Sequence, residues 1–111
     1  MIHPSSKSID RLYSVILSLK DRDECAALFE DLCTIKEVQN MAQRLDVAVM
    51  LDEGKNYQEI TRETSVSTAT ISRVSRCLNY GSGGYRIALE RLKGPEAEES
   101  SLLPVSRSEA S

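Results

Sequence analysis

The most informative run of this 111-residue chain is YQEITRETSVSTATISRVSR, residues 57–76. Asn56 precedes it and Glu59 falls three residues later, so the Asn side chain can accept from an orphan helix N–H while the Glu carboxylate reaches back. A short helix follows, anchored inward by Ile60. Val66 lies in a tight turn, and Ser67 is placed to cap a second helix by accepting from its free N–H groups. Ile71, Val74 and Leu78 then recur at i, i+3 and i+7, the core-facing spacing of a helix. Thr68, Ala69, Ser72, Arg73 and Arg76 are left facing outward. The layout is that of a helix-turn-helix, which needs a tip of short polar side chains to enter a major groove about 12 Å wide. Thr and Ser can exchange hydrogen bonds with base edges or phosphates, and an Ala methyl can meet the thymine methyl. Arg73 and Arg76 can neutralise phosphate or reach guanine. Gln58 and Thr61 are expected to assist from the first helix. The plain alternative, a helical hairpin with a solvated Thr/Ser face, uses residues that form helices less readily than Glu or Lys.

The same punctuation extends on both sides. Ile9, Leu12, Tyr13, Ile16 and Leu17 share one helical face. Asp21 with Glu24 opens a helix to about Leu32 that should bury Cys25, Leu28, Phe29 and Leu32. Thr34 with Glu37 opens a longer helix to about Asp52, ended by Gly54 in the left-handed conformation. That long helix has two apolar stripes, Val38, Met41, Leu45, Ala48 and Val49 beside Val47, Met50 and Leu51. So small a domain has trouble covering such width. Other helices of the chain or a second copy must do it, and the second copy is the expectation. Gly81-Ser82-Gly83-Gly84 breaks the chain before a last helix carrying Tyr85, Ala88, Leu89 and Leu92. The expected architecture is all-α with about six helices. Residues 1–7 should form an arm, 8–93 the domain, and 94–111 a disordered acidic tail.

Composition narrows the function classes. Apolar residues make up 41% and charged residues 28%, ordinary for a globular protein. No run approaches the roughly 18 apolar residues that span a bilayer, and the start lacks the apolar core of a secretory signal, so a cytoplasmic protein without a membrane partner is expected. Cys25, Cys33 and Cys77 are odd in number and widely spaced, which suits buried thiols in a reducing compartment. The only His is His3, so no metal site is expected. There is no Cys–His pairing, phosphate loop or nucleophile elbow, and neither catalytic residues nor a cofactor is expected. Net charge is −3, yet residues 64–89 hold Arg73, Arg76 and Arg86 and no acid. Removing Arg107 from the 14 bases and Glu96, Glu98, Glu99 and Glu109 from the 17 acids leaves 13 of each in residues 1–93. A neutral body with one basic segment is compatible with a local nucleic-acid footprint.

From about Leu12 to Leu92 the chain resembles the Trp repressor superfamily, in its Trp-repressor-like branch. The resemblance rests on Cys33-Thr34, Gln43-Arg44, Gly54, Gln58-Glu59-Ile60, Ala69-Thr70-Ile71-Ser72-Arg73 and Leu78. It implies an all-α homodimer with interlocked N-terminal helices, each protomer presenting a helix-turn-helix to half an operator on double-stranded DNA. Many turns of this kind carry Gly where this chain has Ser65. If that position is left-handed, Ser costs on the order of 1 kcal/mol there. In tryptophan-responsive members two arginines sandwich the indole, at positions matching Arg44 and Arg73, and a Thr matching Thr34 lies close by. A guanidinium suits both parts of such a ligand, stacking on the ring and donating to the carboxylate. Those members have Gly after the second arginine, where this chain has Val74, whose side chain is expected to fill the indole cavity. The expectation is a sequence-specific DNA-binding transcriptional regulator that does not use tryptophan as corepressor. A protein-interaction module of the same fold and a sensor of a different small ligand are the alternatives.

Overall fold

The computed structural model describes residues 5–102, with side chains through Gly94. Among the described residues all regular structure is helical: α1 Ser6–Ser18, α2 Arg22–Leu32, α3 Ile35–Asp52, α4 Tyr57–Thr64, α5 Thr68–Tyr80 and α6 Gly84–Leu102. The chain divides into two compact units, Met1–Asn40 and Met41–Ser111, with the boundary inside α3.

In the first unit, α1 starts earlier than expected, inside the proposed arm, because Ser5 accepts from the Ser8 N–H at 3.0 Å and so caps it. Residues 1–4 of that arm lie outside the described residues. Asp21 caps α2 by accepting from the Glu24 N–H at 2.9 Å. The return bond goes elsewhere than a capping box requires, since the Glu24 carboxylate accepts from the Lys20 N–H at 2.9 Å. At Thr34 the box is complete: Thr34 Oγ1 accepts from the Glu37 N–H at 3.0 Å and Glu37 Oε1 from the Thr34 N–H at 2.8 Å. Neither α1 nor α2 contains a buried residue. Ile9, Leu12, Tyr13 and Val15 are exposed, and Leu17 is 84% exposed. Leu28 and Phe29 are half-buried while Cys25 and Leu32 are exposed, which corrects the expected burial of all four. Two short helices and one turn of a third have too little surface to cover these stripes by themselves.

The second unit holds the core. Its α3 segment ends in a Schellman motif: the Gly54 N–H donates to Leu51 O and the Lys55 N–H to Met50 O, both at 3.0 Å, with Gly54 at φ 91°. Val47 and Ala48 of α3 pack with Ile60, Val66, Ile71 and Val74, with Met50, Leu51 and Tyr85 around them. Asn56 and Glu59 form the expected capping box on α4, both bonds 2.9 Å. Gly81 ends α5 where a Cβ would collide with the Cys77 carbonyl, so the close turn requires glycine. Leu89 seats α6 in the core, and Asp52 ties it to the end of α3. Asp52 Oδ2 lies 2.7 Å from Lys93 Nζ and Oδ1 lies 3.5 Å from Arg86 Nη1. The hydrogen bond from Lys93 holds the Asp52 carboxyl below its ordinary value. Gly94 breaks the helix at φ 42°, ψ −170°, after which the backbone is helical again to Leu102. The acidic segment, expected to be without structure, therefore begins helically. Residues 103–111 lie outside the described residues.

Candidate nucleic-acid interface

Segment 57–76 folds as α4, a turn over residues 65–67, and α5. The inward faces of α4 and α5 are set by burial: Ile60 and Ile71 are 0% exposed and Val74 is 1% exposed. Ser67 caps α5 by accepting from the Thr70 N–H at 3.2 Å, and its Oγ lies 3.2 Å from Thr70 Oγ1. The Thr70 hydroxyl is thus engaged at the cap. Ser65 sits at φ 66°, ψ 13°, so the position is left-handed and the condition for a cost to Ser is met. It is the one non-Gly residue at positive φ among the described residues.

With the inner face of α5 fixed, Thr68, Ala69, Arg73 and Arg76 are exposed and Ser72 is half-buried on the other side. Gln58 on α4 is exposed as expected. Thr61 is not: it lies half-buried beside Ile60, and its Oγ1 is shielded from solvent without a hydrogen-bond partner among the described residues. The first turn of α5 carries no acid, so nothing there offsets the partial positive charge of the helix end. Neither Arg73 nor Arg76 takes part in an ion pair among the described residues. The third arginine of the basic segment is committed, since Arg86 pairs with Asp52 and donates to Asn79 Oδ1 at 3.4 Å. The acids of α4 are occupied too. Glu59 closes the cap, and Glu63 holds Lys55 Nζ at 2.9 Å, which raises the Lys55 pKa. The face is left with free guanidiniums and hydroxyls.

Arg44 is half-buried and lines an open groove of about 500 Å³ with Met41, Leu45, Cys77, Tyr85 and Ala88. Arg73 and Val74 are not among its lining residues. Thr34 is engaged in the cap of α3. Val74 is packed in the core, as its spacing with Ile71 and Leu78 implies. Cys77, Tyr85 and Ala88 carried no signal in the sequence beyond apolar spacing. A second cavity of about 490 Å³ in the first unit is lined by Glu30, Cys33, Ile35, Val38 and Gln39. The three cysteines are free, Cys25 exposed and the other two half-buried, so the expectation of fully buried thiols is corrected. Among the described residues there is no cluster of metal-ligating side chains, and no helix is long and apolar enough to cross a membrane.

An all-α chain whose paired helices α4 and α5 turn a hydroxyl- and arginine-bearing face outward is the class of molecule these features define. It belongs to the Trp repressor protein family, whose sequence model matches residues 7–93. It is 59% identical over 95 residues to "Uncharacterized protein YerC" of Bacillus subtilis (strain 168), covering 86% of this chain and 91% of that one. The crystal structure of a TrpR-like protein from Eubacterium eligens ATCC 27750 superposes with a TM-score of 0.76 at 50% identity, covering 78% of this chain and 90% of that chain. A crystal structure from Staphylococcus aureus gives 0.75 at 44% identity over 79% and 88%.

Proposed function

We propose that this protein is a cytoplasmic, homodimeric, sequence-specific DNA-binding transcriptional regulator in which α4 and α5 form a helix-turn-helix. The observation that carries the reading is the split of α5 into two faces. Ile71, Val74 and Leu78 lock one into the core, while Thr68, Ala69, Arg73 and Arg76 stand free of acids on the other. Thr68, Ala69 and Ser72 read base edges with help from Gln58, and Arg73 and Arg76 hold phosphates. Thr61, with its hydroxyl turned away from solvent, is left out of the reading set. The exposed apolar face of α1 supports a second copy as its cover, and membership of the Trp repressor family supports both parts of the proposal.

Tryptophan is not the effector in this reading, because Val74 occupies core space rather than leaving room beside Arg73. The groove at Arg44 supports a different small ligand as a second reading. A guanidinium in a lining that is mostly apolar, with Ser82 as a further polar residue, suits an apolar carboxylate. Thermal-shift measurements with amino acids and aromatic acids test it, since a ligand at 100 times its Kd adds about 2.7 kcal/mol.

Selection of bound duplexes from a random pool tests the main proposal. The expected product is a pseudo-palindrome with half-sites about 34 Å apart, one turn of duplex. A pool without enrichment, together with unchanged duplex affinity after Arg73→Ala and Arg76→Ala combined, would refute it.

A further inference from the structure

We infer that Thr64 is the positioning residue of the reading helix: its hydroxyl latches the turn that sets how α5 presents Thr68, Ala69 and Arg73. The inference rests on the DNA-reading function proposed above. Thr64 Oγ1 donates to the Ile60 carbonyl at 2.7 Å and accepts from the Val66 N–H at 3.2 Å. Ile60 is 0% and Val66 8% exposed, so the two bonds join core-anchored residues on either side of left-handed Ser65. The backbone adds a further tie, the Ser65 N–H donating to the Thr61 carbonyl at 2.8 Å. From α3, Gln43 Nε2 reaches the Thr64 carbonyl at 3.5 Å.

A strained backbone conformation persists only where its surroundings over-determine it. Here the side-chain part of those surroundings is centred on one hydroxyl that is donor and acceptor at once. A Thr that merely bonds back to the i−4 carbonyl is common in helices. The forward bond to Val66 is the distinguishing feature, because it spans left-handed Ser65 and restrains the residue that follows within the turn. β-Branching stiffens χ1 and keeps the hydroxyl in place. Without it the Val66 N–H loses its partner and α5 gains freedom to pivot about the turn. Hydrogen bonds to base edges depend on exact placement of short side chains. Long arginines can still find phosphates after a small rotation.

The two contact types therefore separate in an experiment comparing Thr64→Val, nearly isosteric without the hydroxyl, with Thr64→Ser, which retains it. Affinity is measured at low salt for the duplex selected by the wild-type protein and for random duplex, and exchange of the Val66 amide is followed in the free protein. Thr64→Val is expected to lower the selected-to-random affinity ratio by about tenfold, the scale of one lost base contact, with random-duplex binding preserved within about twofold. Val66 exchange should accelerate in Thr64→Val, and Thr64→Ser should restore both the ratio and the protection. An unchanged ratio in Thr64→Val overturns the inference alone, provided the wild type discriminates. Parallel loss of both affinities with helicity, or no rescue by Thr64→Ser, also overturns it and reduces Thr64 to a stabilising residue. A wild-type protein that binds neither duplex removes the DNA-reading proposal, and the inference with it.

Discussion

Replacing Ser65 with Gly should stabilise the protein, and the size of the gain follows from its backbone. At φ 66°, ψ 13° the Ser65 Cβ crowds the following carbonyl, at a cost of about 1–2 kcal/mol for an L residue. Glycine removes that clash but leaves the unfolded chain with more freedom to lose, a penalty of about 0.5–1 kcal/mol. Taken at the middle of each range the net stabilisation is about 0.7 kcal/mol, which in a domain of this size raises the melting temperature by roughly 3–6 °C. Ser65→Ala keeps the Cβ and with it the clash, so it should leave the melting temperature nearly unchanged and separate strain from loss of the hydroxyl. Thermal unfolding followed by circular dichroism, at one fixed chain concentration, is the assay, since the proposed dimerisation would make the midpoint depend on concentration. A Ser65→Gly protein that melts below wild type would show that the turn carries no relievable strain.

Three further perturbations probe the interface and its supports. Arg76→Ala should weaken binding to all duplexes alike and reduce the salt slope by about one, whereas Ser72→Ala should alter the ranking of sites; titrations at several salt concentrations distinguish the two. Leu12→Lys, on the exposed face of α1, should shift the protein to monomer in sedimentation with its helicity retained, and a protein whose assembly is unaffected would place the contact elsewhere. Asp52→Asn should lower the melting temperature by removing the partner of Lys93 and Arg86. Because the Asp52 carboxyl is held below its ordinary value, its contribution is present above the unfolded pKa of about 3.9 and fades as pH falls through the lower folded value. Stability curves of the wild type and Asp52→Asn should converge in strong acid.

Much of the fold was legible because helix ends use local chemistry. Thr34 with Glu37, Asn56 with Glu59, Ser67 and Gly54 each terminate a helix as their spacing implies. The face of α5 was legible for a related reason, since Ile71, Val74 and Leu78 fix the inward direction and leave the rest outward. Side-chain burial was less so. Cys25 and Leu32 have the right spacing for a core, but periodicity gives a direction and not the presence of a cover. Thr61 and Arg86 illustrate the same limit at the interface. Residue type suggested readiness to bind in both cases. Thr61 is nevertheless half-buried beside Ile60, and Arg86 is claimed by Asp52, 34 positions away in the chain. Thr64 was invisible because its role depends on one oxygen meeting two backbone groups on either side of Ser65.

The capture of Arg86 by Asp52 has a consequence for how such a regulator would travel along a chromosome. Among the described residues Arg73 and Arg76 are the arginines of its basic segment outside any ion pair, and the body around them is electrically balanced. Fewer displaced counterions mean shorter residence on irrelevant sequence. Little of the cellular stock would then be sequestered by bulk genome, and occupancy of a true operator would track copy number closely.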